Sequence, residues 1–304
     1  MDDTWECIVV GAGPAGLSAA LYMARFRRRV LVLHDGKSRA LRIPETHNVP
    51  GFPDGVEGPA LIERMGGHAR RYGARVREAE VTGVRHDDAF VLETADGERI
   101  AGQALVLATG LHLNEPPLPH TEHEAAIRAG VLRYCPICDG FEHSGQRIAV
   151  LGCDASGASE ALFLRQYSDD VTLVPMDMPE LDDAQRRELA DAGVAVESRP
   201  VARLMPRGDC FEIQLEGAAE PVSFGVVYPA LGTRQRTELA AMLGVPLDAA
   251  GAVDAHAPLG TTVPGLYCAG DIVDGLDQIS VAMGHGAVAA TRAHNWLRQR
   301  APGA

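Results

Sequence analysis

The sequence predicts an α/β chain built from two similar nucleotide-fold modules, the second inserted in the first. A strand-like run, Cys7-Ile8-Val9-Val10, enters a glycine-rich turn, Gly11 to Gly16, and then a helical stretch from Leu17 to about Arg28. A related strand-turn-helix pattern returns near the middle, where Ile148-Ala149-Val150-Leu151 runs into Gly152 to Gly157. Near the carboxyl end, Gly265-Leu266-Tyr267-Cys268-Ala269-Gly270-Asp271 reads as a further strand ending in Gly-Asp, assigned back to the first module.

Taken in order, the first module runs strand, turn, helix and second strand (Val30 to Leu33), which is a Rossmann-like βαβ opening. Gly11-Ala12-Gly13-Pro14-Ala15-Gly16 satisfies G-x-G-x-x-G in that context. The first glycine makes the tight turn, the second removes a side chain where a pyrophosphate approaches the backbone, and the third lets helix pack on strand. The helix amino terminus then presents oriented N–H donors. An acid that binds ribose is expected at the close of the second strand, about 20 residues on. His34 and Asp35 occupy that place, and Asp35 is the candidate. Leu105-Val106-Leu107-Ala108-Thr109-Gly110 ends the module, and Asn114-Glu115-Pro116-Pro117-Leu118-Pro119 is a proline-stiffened linker.

The second module continues through a helix spanning Glu160 to Leu164 and a strand at Val171 to Val174, and ends in Val226-Val227-Tyr228-Pro229-Ala230-Leu231-Gly232-Thr233. The chain returns near Gly244 to Gly251, and a small-residue helix through Ala289-Ala290 follows the last strand. The expected division is residues 1–115 with 247–304 for the first module and 116–246 for the insertion.

At 304 residues and 46% hydrophobic content, the chain can bury the cores of about two domains. A formal charge of −13, with the acids scattered, offers no basic footprint for nucleic acid or an anionic membrane. The acidic start, Met1 to Glu6, lacks the regions of a signal peptide, and no apolar run approaches the ~20 residues that span a bilayer. The expectation is a cytoplasmic protein, in a compartment that disfavours structural disulfides.

Of six cysteines, only Cys135 and Cys138 form a close pair, in Tyr134-Cys135-Pro136-Ile137-Cys138-Asp139-Gly140. That spacing allows a small disulfide ring and commonly lowers a thiol pKa, so the pair predicts redox cycling. Zinc would need two further ligands, and no second C-x-x-C or H-x₃₋₅-H exists, so no metal site is expected. Asp139 can relay a proton beside the thiols, or serve merely as a turn residue before Gly140. His143, alone in a polar loop, is expected to be solvated. Cys7 and Cys268 lie in apolar runs and read as small buried hydrophobes.

The first glycine loop, Thr46-His47-Asn48-Val49-Pro50-Gly51-Phe52-Pro53, Ala108-Thr109-Gly110, Cys135 to Gly140 and Gly270-Asp271, in this order, resemble the low-molecular-weight thioredoxin reductases nearly end to end. The resemblance implies FAD held by the first and last segments, an inserted NADPH-type domain, a homodimer and a thioredoxin-like protein or small-molecule disulfide as partner. It further implies that Cys138 faces the flavin, Cys135 exchanges with substrate, Asp139 donates the proton, and Asn48 with Gln278 and Ile279 lies around the isoalloxazine.

The second loop departs from the family. In Gly152-Cys153-Asp154-Ala155-Ser156-Gly157, Asp154 replaces the glycine of closest approach, adding bulk and like charge. The family's His-Arg-Arg cluster for the 2′-phosphate is replaced by Pro175-Met176-Asp177-Met178-Pro179-Glu180, and Asp277 stands where an arginine is usual. The departures predict that NADPH is not the direct donor. Ferredoxin can take its place, or the chain can act as a dithiol oxidase passing electrons to oxygen, as in the gliotoxin and holomycin dithiol oxidases that share the scaffold. An NADPH-dependent thioredoxin reductase and a flavin-bound redox sensor are the other readings.

Overall fold

In the computed structural model, residues 4–254 and 260–300 are described. The chain begins with β1 (Trp5–Val10), α1 (Pro14–Arg25), β2 (Val30–His34), α2 (Gly58–Arg71), β3 (Arg75–Glu78), β4 (Val81–His86), β5 (Phe90–Thr94), β6 (Arg99–Leu107) and β7 (Leu111–Leu113). Apolar side chains at every position from Cys7 to Val10 are buried, as a parallel strand covered on both faces requires. β1 lies between β2 and β6, parallel to both, with β3 outside β2.

Helix α1 stops at Arg25, three residues short of the expected end. Arg27 adopts φ 61°, and the Arg28 amide donates to the Met23 carbonyl, which closes the helix in a left-handed cap. A non-glycine cap of this kind leaves no mark in sequence periodicity.

Next come α3 (His120–Arg128), α4 (Pro136–Asp139), β8 (Ile148–Leu151), α5 (Ala155–Leu164), β9 (Val171–Val174), α6 (Asp183–Asp191) and β10 (Ala195–Val196). They are followed by β11 (Val201–Arg207), β12 (Cys210–Leu215), β13 (Val222–Phe224), β14 (Val226–Pro229), β15 (Thr233–Gln235) and α7 (Glu238–Met242). β10, β9, β8 and β14 make a parallel sheet, and β11 to β13 an antiparallel one beside it. β15 pairs antiparallel with β7, so the chain crosses out and back on a two-stranded connection.

β16 (Leu266–Cys268) then pairs parallel with the end of β6, and α8 (Ile279–Arg300) packs on α1. That contact depends on Gly286, where an added Cβ would stand 2.1 Å from the Ala15 carbonyl oxygen. The architecture is thus α/β with two nucleotide-binding-type sheets, the first a parallel set extended by antiparallel β5 and β4, with its core completed by the last segment of the chain. Cys7 and Cys268 are wholly buried there, and burial pushes each thiol up to about 12, so neither is reactive. No helix among the described residues is long and apolar enough to cross a membrane.

Candidate active site

A cavity of about 350 Å³ opens at the carboxyl ends of β1, β2 and β6. Its floor is the β1–α1 loop. Gly11 has φ 111°, and a Cβ there would lie 2.1 Å from the Ala108 carbonyl oxygen. A Cβ on Gly16 would lie 1.9 Å from the Gly11 oxygen, so those two glycines are required by packing. Gly13 is different: its only close neighbour among the described residues would be Ser38 Oγ, at 3.2 Å, and its bare face looks into the cavity. No side chain caps α1 and its first turn holds no acid, so its N–H groups are available to an anion. Pro14 and Ala15 complete the turn, and Thr109, Gly110, Gly270 and Asp271 form the facing wall. These residues fit the pyrophosphate of a dinucleotide.

Asp35 lines the same cavity but is not alone in it. Its Oδ1 accepts the Lys37 amide at 3.0 Å, and its Oδ2 lies 2.6 Å from Arg236 on the return connection. Burial alone would raise this carboxyl, but the Lys37 amide and the Arg236 guanidinium outweigh it and hold the group below its ordinary value. Opposite, burial raises Asp271 against the pull of Arg39, 3.1 Å away, and of His285. Arg39 and Arg236 carry no motif, and nothing in their sequence surroundings marks them.

A smaller cavity, about 110 Å³, adjoins the first through Arg39, Ile43, Gln278 and Ile279. Cys135 and Cys138 open onto it as a disulfide with Cα atoms 5.2 Å apart. Gln278 Nε2 stands 3.4 Å from Cys135 Sγ and 3.6 Å from Cys138 Sγ, and its Oε1 accepts from Asn48 Nδ2 at 2.9 Å. Thr46 donates in turn to Asn48 Oδ1 at 2.9 Å. The structure therefore brings Asn48, Gln278 and the sulfurs together where the two cavities meet. Asp277 also lines this space, and burial, with Asp271 beside it, pushes its carboxyl up to about 6.

The cysteine segment is fastened from both sides. The Tyr134 hydroxyl lies 2.6 Å from His123 Nε2, while Arg42, from the first module, reaches Glu115 at 2.7 Å and Glu124 at 2.8 Å. Asp139 ends α4 and is buried. Tyr228 donates to its Oδ1 at 2.7 Å, and Arg133 Nε stands 2.9 Å from its Oδ2. Burial raises this carboxyl, with Arg133 and Tyr228 opposing. His143, expected in solvent, is buried instead, its Nδ1 3.2 Å from Gln146 Oε1, because the following turn tucks it against the Tyr228 ring.

The loop after β8 keeps the packing glycines and loses the binding one. Gly152 has φ 122°, and a Cβ on Gly157 would lie 1.8 Å from the Gly152 oxygen. Asp154, at the intermediate position, is the N-cap of α5, and its Oδ1 accepts the Gly157 amide at 2.8 Å. A protein carboxylate thus takes an N–H that a phosphate would need. Among the arginines nearby, Arg165 is committed to the Ala192 and Ser168 carbonyls and Arg186 donates to the Leu181 carbonyl at 3.3 Å. Neither described cavity is lined by this loop.

The chain matches the pyridine nucleotide-disulphide oxidoreductase family over residues 5–286. It is 32% identical over 312 residues to a thioredoxin reductase of Streptomyces coelicolor, an alignment covering 98% of this chain and 95% of that one. The crystal structure of HlmI is similar at a TM-score of 0.89 and 30% identity, over 98% of this chain and 94% of that one. A thioredoxin reductase from Streptococcus pyogenes shares the fold at a TM-score of 0.89 and 24% identity, over 98% and 100%.

Proposed function

This chain belongs to the pyridine nucleotide-disulphide oxidoreductase family as a thioredoxin-reductase-like, FAD-dependent disulfide oxidoreductase, and from that premise we propose that Cys135 and Cys138 exchange dithiol and disulfide without drawing electrons directly from NADPH. Asp154 carries the second half of this reading. Its carboxylate neutralises the N-terminal partial charge of α5 and occupies the Gly157 amide, so a pyrophosphate would meet both a claimed donor and like charge.

In the proposed mechanism the Cys135 thiolate attacks a substrate disulfide, forming a mixed disulfide and releasing one substrate sulfur. Cys138 then displaces the second and closes the Cys135–Cys138 bond. Oxidation of a dithiol runs the same steps in reverse. Asp139 exchanges the proton, and Gln278, held by Asn48, keeps an amide against the sulfurs. FAD, when bound, supplies the two-electron acceptor or donor for the pair. Gly11, Gly13, Pro14, Ala15 and Gly16 would hold its pyrophosphate, Asp35 its ribose, Thr109, Gly110, Gly270 and Asp271 the facing side, and Asn48, Gln278 and Ile279 the ring.

The same proposal takes residues 1–115 with 247–304 as the FAD-binding unit and 116–246 as the insertion, assembled as a homodimer. A thioredoxin-like protein is the first partner to test, given the relatives' names. Under anaerobic conditions neither NADPH nor NADH should bleach the flavin absorbance, whereas dithiothreitol should, and Cys138→Ser should retain FAD but lose that response. Saturable bleaching by micromolar NADPH would overturn the reading. Oxygen uptake with a dithiol then separates an oxidase from a reductase fed by a carrier such as ferredoxin, and steady turnover of either kind excludes a mere sensor.

A further inference from the structure

The carboxyl of Asp139 is only 12% exposed, so each oxygen needs a partner within the protein. Tyr228 supplies the partner for Oδ1 from 89 residues further along the chain. Burial, with Asp139 second, drives the ionisation of that hydroxyl far above its ordinary value, so it remains a proton donor at every working pH. Having one proton, and Asp139 to give it to, it claims Oδ1 permanently. That donated bond stabilises negative charge on Oδ1, which makes Oδ2 the oxygen that takes up and gives up a proton. There Arg133 Nε is 2.9 Å away but its N–H is not aimed along the line of contact, so it acts as a charge and leaves the oxygen's lone pair open. Arg133, Asp139 and both cysteines line one cavity.

We propose that Tyr228 and Arg133 are positioning residues that confine proton exchange at the cysteine pair to Oδ2 of Asp139 and set the pH at which it occurs. The inference rests on the disulfide-exchange reading of Cys135 and Cys138. Opening the disulfide breaks the S–S bond and takes up two electrons, supplied through the flavin, and two protons; one proton passes from Oδ2 to a sulfur, the other comes from solvent. Closing it on a substrate disulfide passes the two electrons and two protons to the two substrate sulfurs, one proton by way of Oδ2; in the oxidase direction the electrons go to the flavin, one proton to Oδ2 and the other to solvent. The groups facing Asp139 are Arg133, Tyr228 and His143, which favour the carboxylate, and Glu142, which opposes it. Removing the Tyr228 hydroxyl takes away a bond made to the charged form, so the ionisation of Asp139 should rise by about one pH unit.

The test is the pH profile of iodoacetamide alkylation of the reduced, FAD-loaded protein without oxygen. The wild-type profile should carry an inflection that Asp139→Asn removes. Tyr228→Phe should move that inflection up by about one unit, and should change nothing further in the Asp139→Asn background. An inflection unmoved by Tyr228→Phe, a shift that persists without Asp139, or a wild-type profile indifferent to Asp139→Asn would each overturn the proposal. Arg133→Met, expected to shift the inflection in the same direction, serves if Tyr228→Phe fails to fold. Alkylation reads thiol ionisation without turnover, so a failure of the disulfide-exchange reading shows separately, as wild-type flavin that dithiothreitol does not bleach.

Discussion

Glu160 should make the folded state lose stability as pH rises through neutrality, and Glu160→Gln should cancel that loss. The residue sits on α5, close behind the Asp154 cap, with Oε2 sealed from water and without a hydrogen-bond partner among the described residues. Burial, and secondarily the Asp154 charge, push its carboxyl from 4.5 up to about 7. Between those two values the folded state holds a proton that the unfolded chain releases. The contribution is therefore fully present below about pH 4.5 and is lost as pH rises through about 7. At 1.36 kcal/mol per unit the displacement corresponds to about 3 kcal/mol, and the part of the side chain still in water reduces this to about 2 kcal/mol. Calorimetric melting at saturating FAD should show wild type and Glu160→Gln alike near pH 4.5, with the variant ahead by about 3 °C at about pH 8.5. A difference that stays constant with pH, or favours the wild type in alkali, would refute the reasoning. It would also weaken the view of the β8–α5 loop as a carboxylate-crowded region unsuited to phosphate.

The first glycine loop should separate packing from binding. Gly13→Ala should melt like wild type as apoprotein yet bind FAD about tenfold more weakly, since its methyl enters the cradle, whereas Gly16→Ala should fail to fold stably against the Gly11 oxygen 1.9 Å away. Indistinguishable behaviour in apoprotein melting and FAD titration would reject the assignment. Arg236→Met should free Asp35 from its 2.6 Å partner and weaken FAD reconstitution, followed by flavin fluorescence, by about tenfold; an unchanged affinity would show that Arg236 serves only the connection between β15 and α7.

The glycine loops and the cysteine pair were legible in the sequence because their requirements are local. Gly11, Gly16, Gly152 and Gly157 answer to backbone atoms within the same strand-turn-helix or its immediate sheet neighbour, and Cys135 and Cys138 need only one helical turn to close a ring. Asp154 was legible for the same reason, as a wrong residue type at a position whose geometry the motif already dictates. Its use as the cap of α5 was not, although the side chain's preference for helix amino termini points that way. Continuous apolar runs likewise marked the parallel strands, because both faces of each had to be covered.

Arg39, Arg236 and Tyr228 were decided elsewhere, as was the contact with the sulfurs made by Gln278, a residue that the resemblance had named for the flavin ring. Gln278 reaches the sulfurs across 140 residues or more of chain, Arg236 reaches Asp35 across 201, and Tyr228 reaches Asp139 across 89. At Arg39, Arg236 and Tyr228 the neighbouring residues are compatible with an ordinary surface or core side chain. The sequence by itself determined where the two strand-turn-helix units form, where a dinucleotide phosphate can approach, and which two thiols pair, since those follow from apolar runs, steric need and spacing. Only the tertiary structure decided what surrounds the disulfide and which oxygen of Asp139 is open. Those depend on how two sheets and a returning strand are brought together, and a buried polar group takes its partner from whatever that packing places within reach.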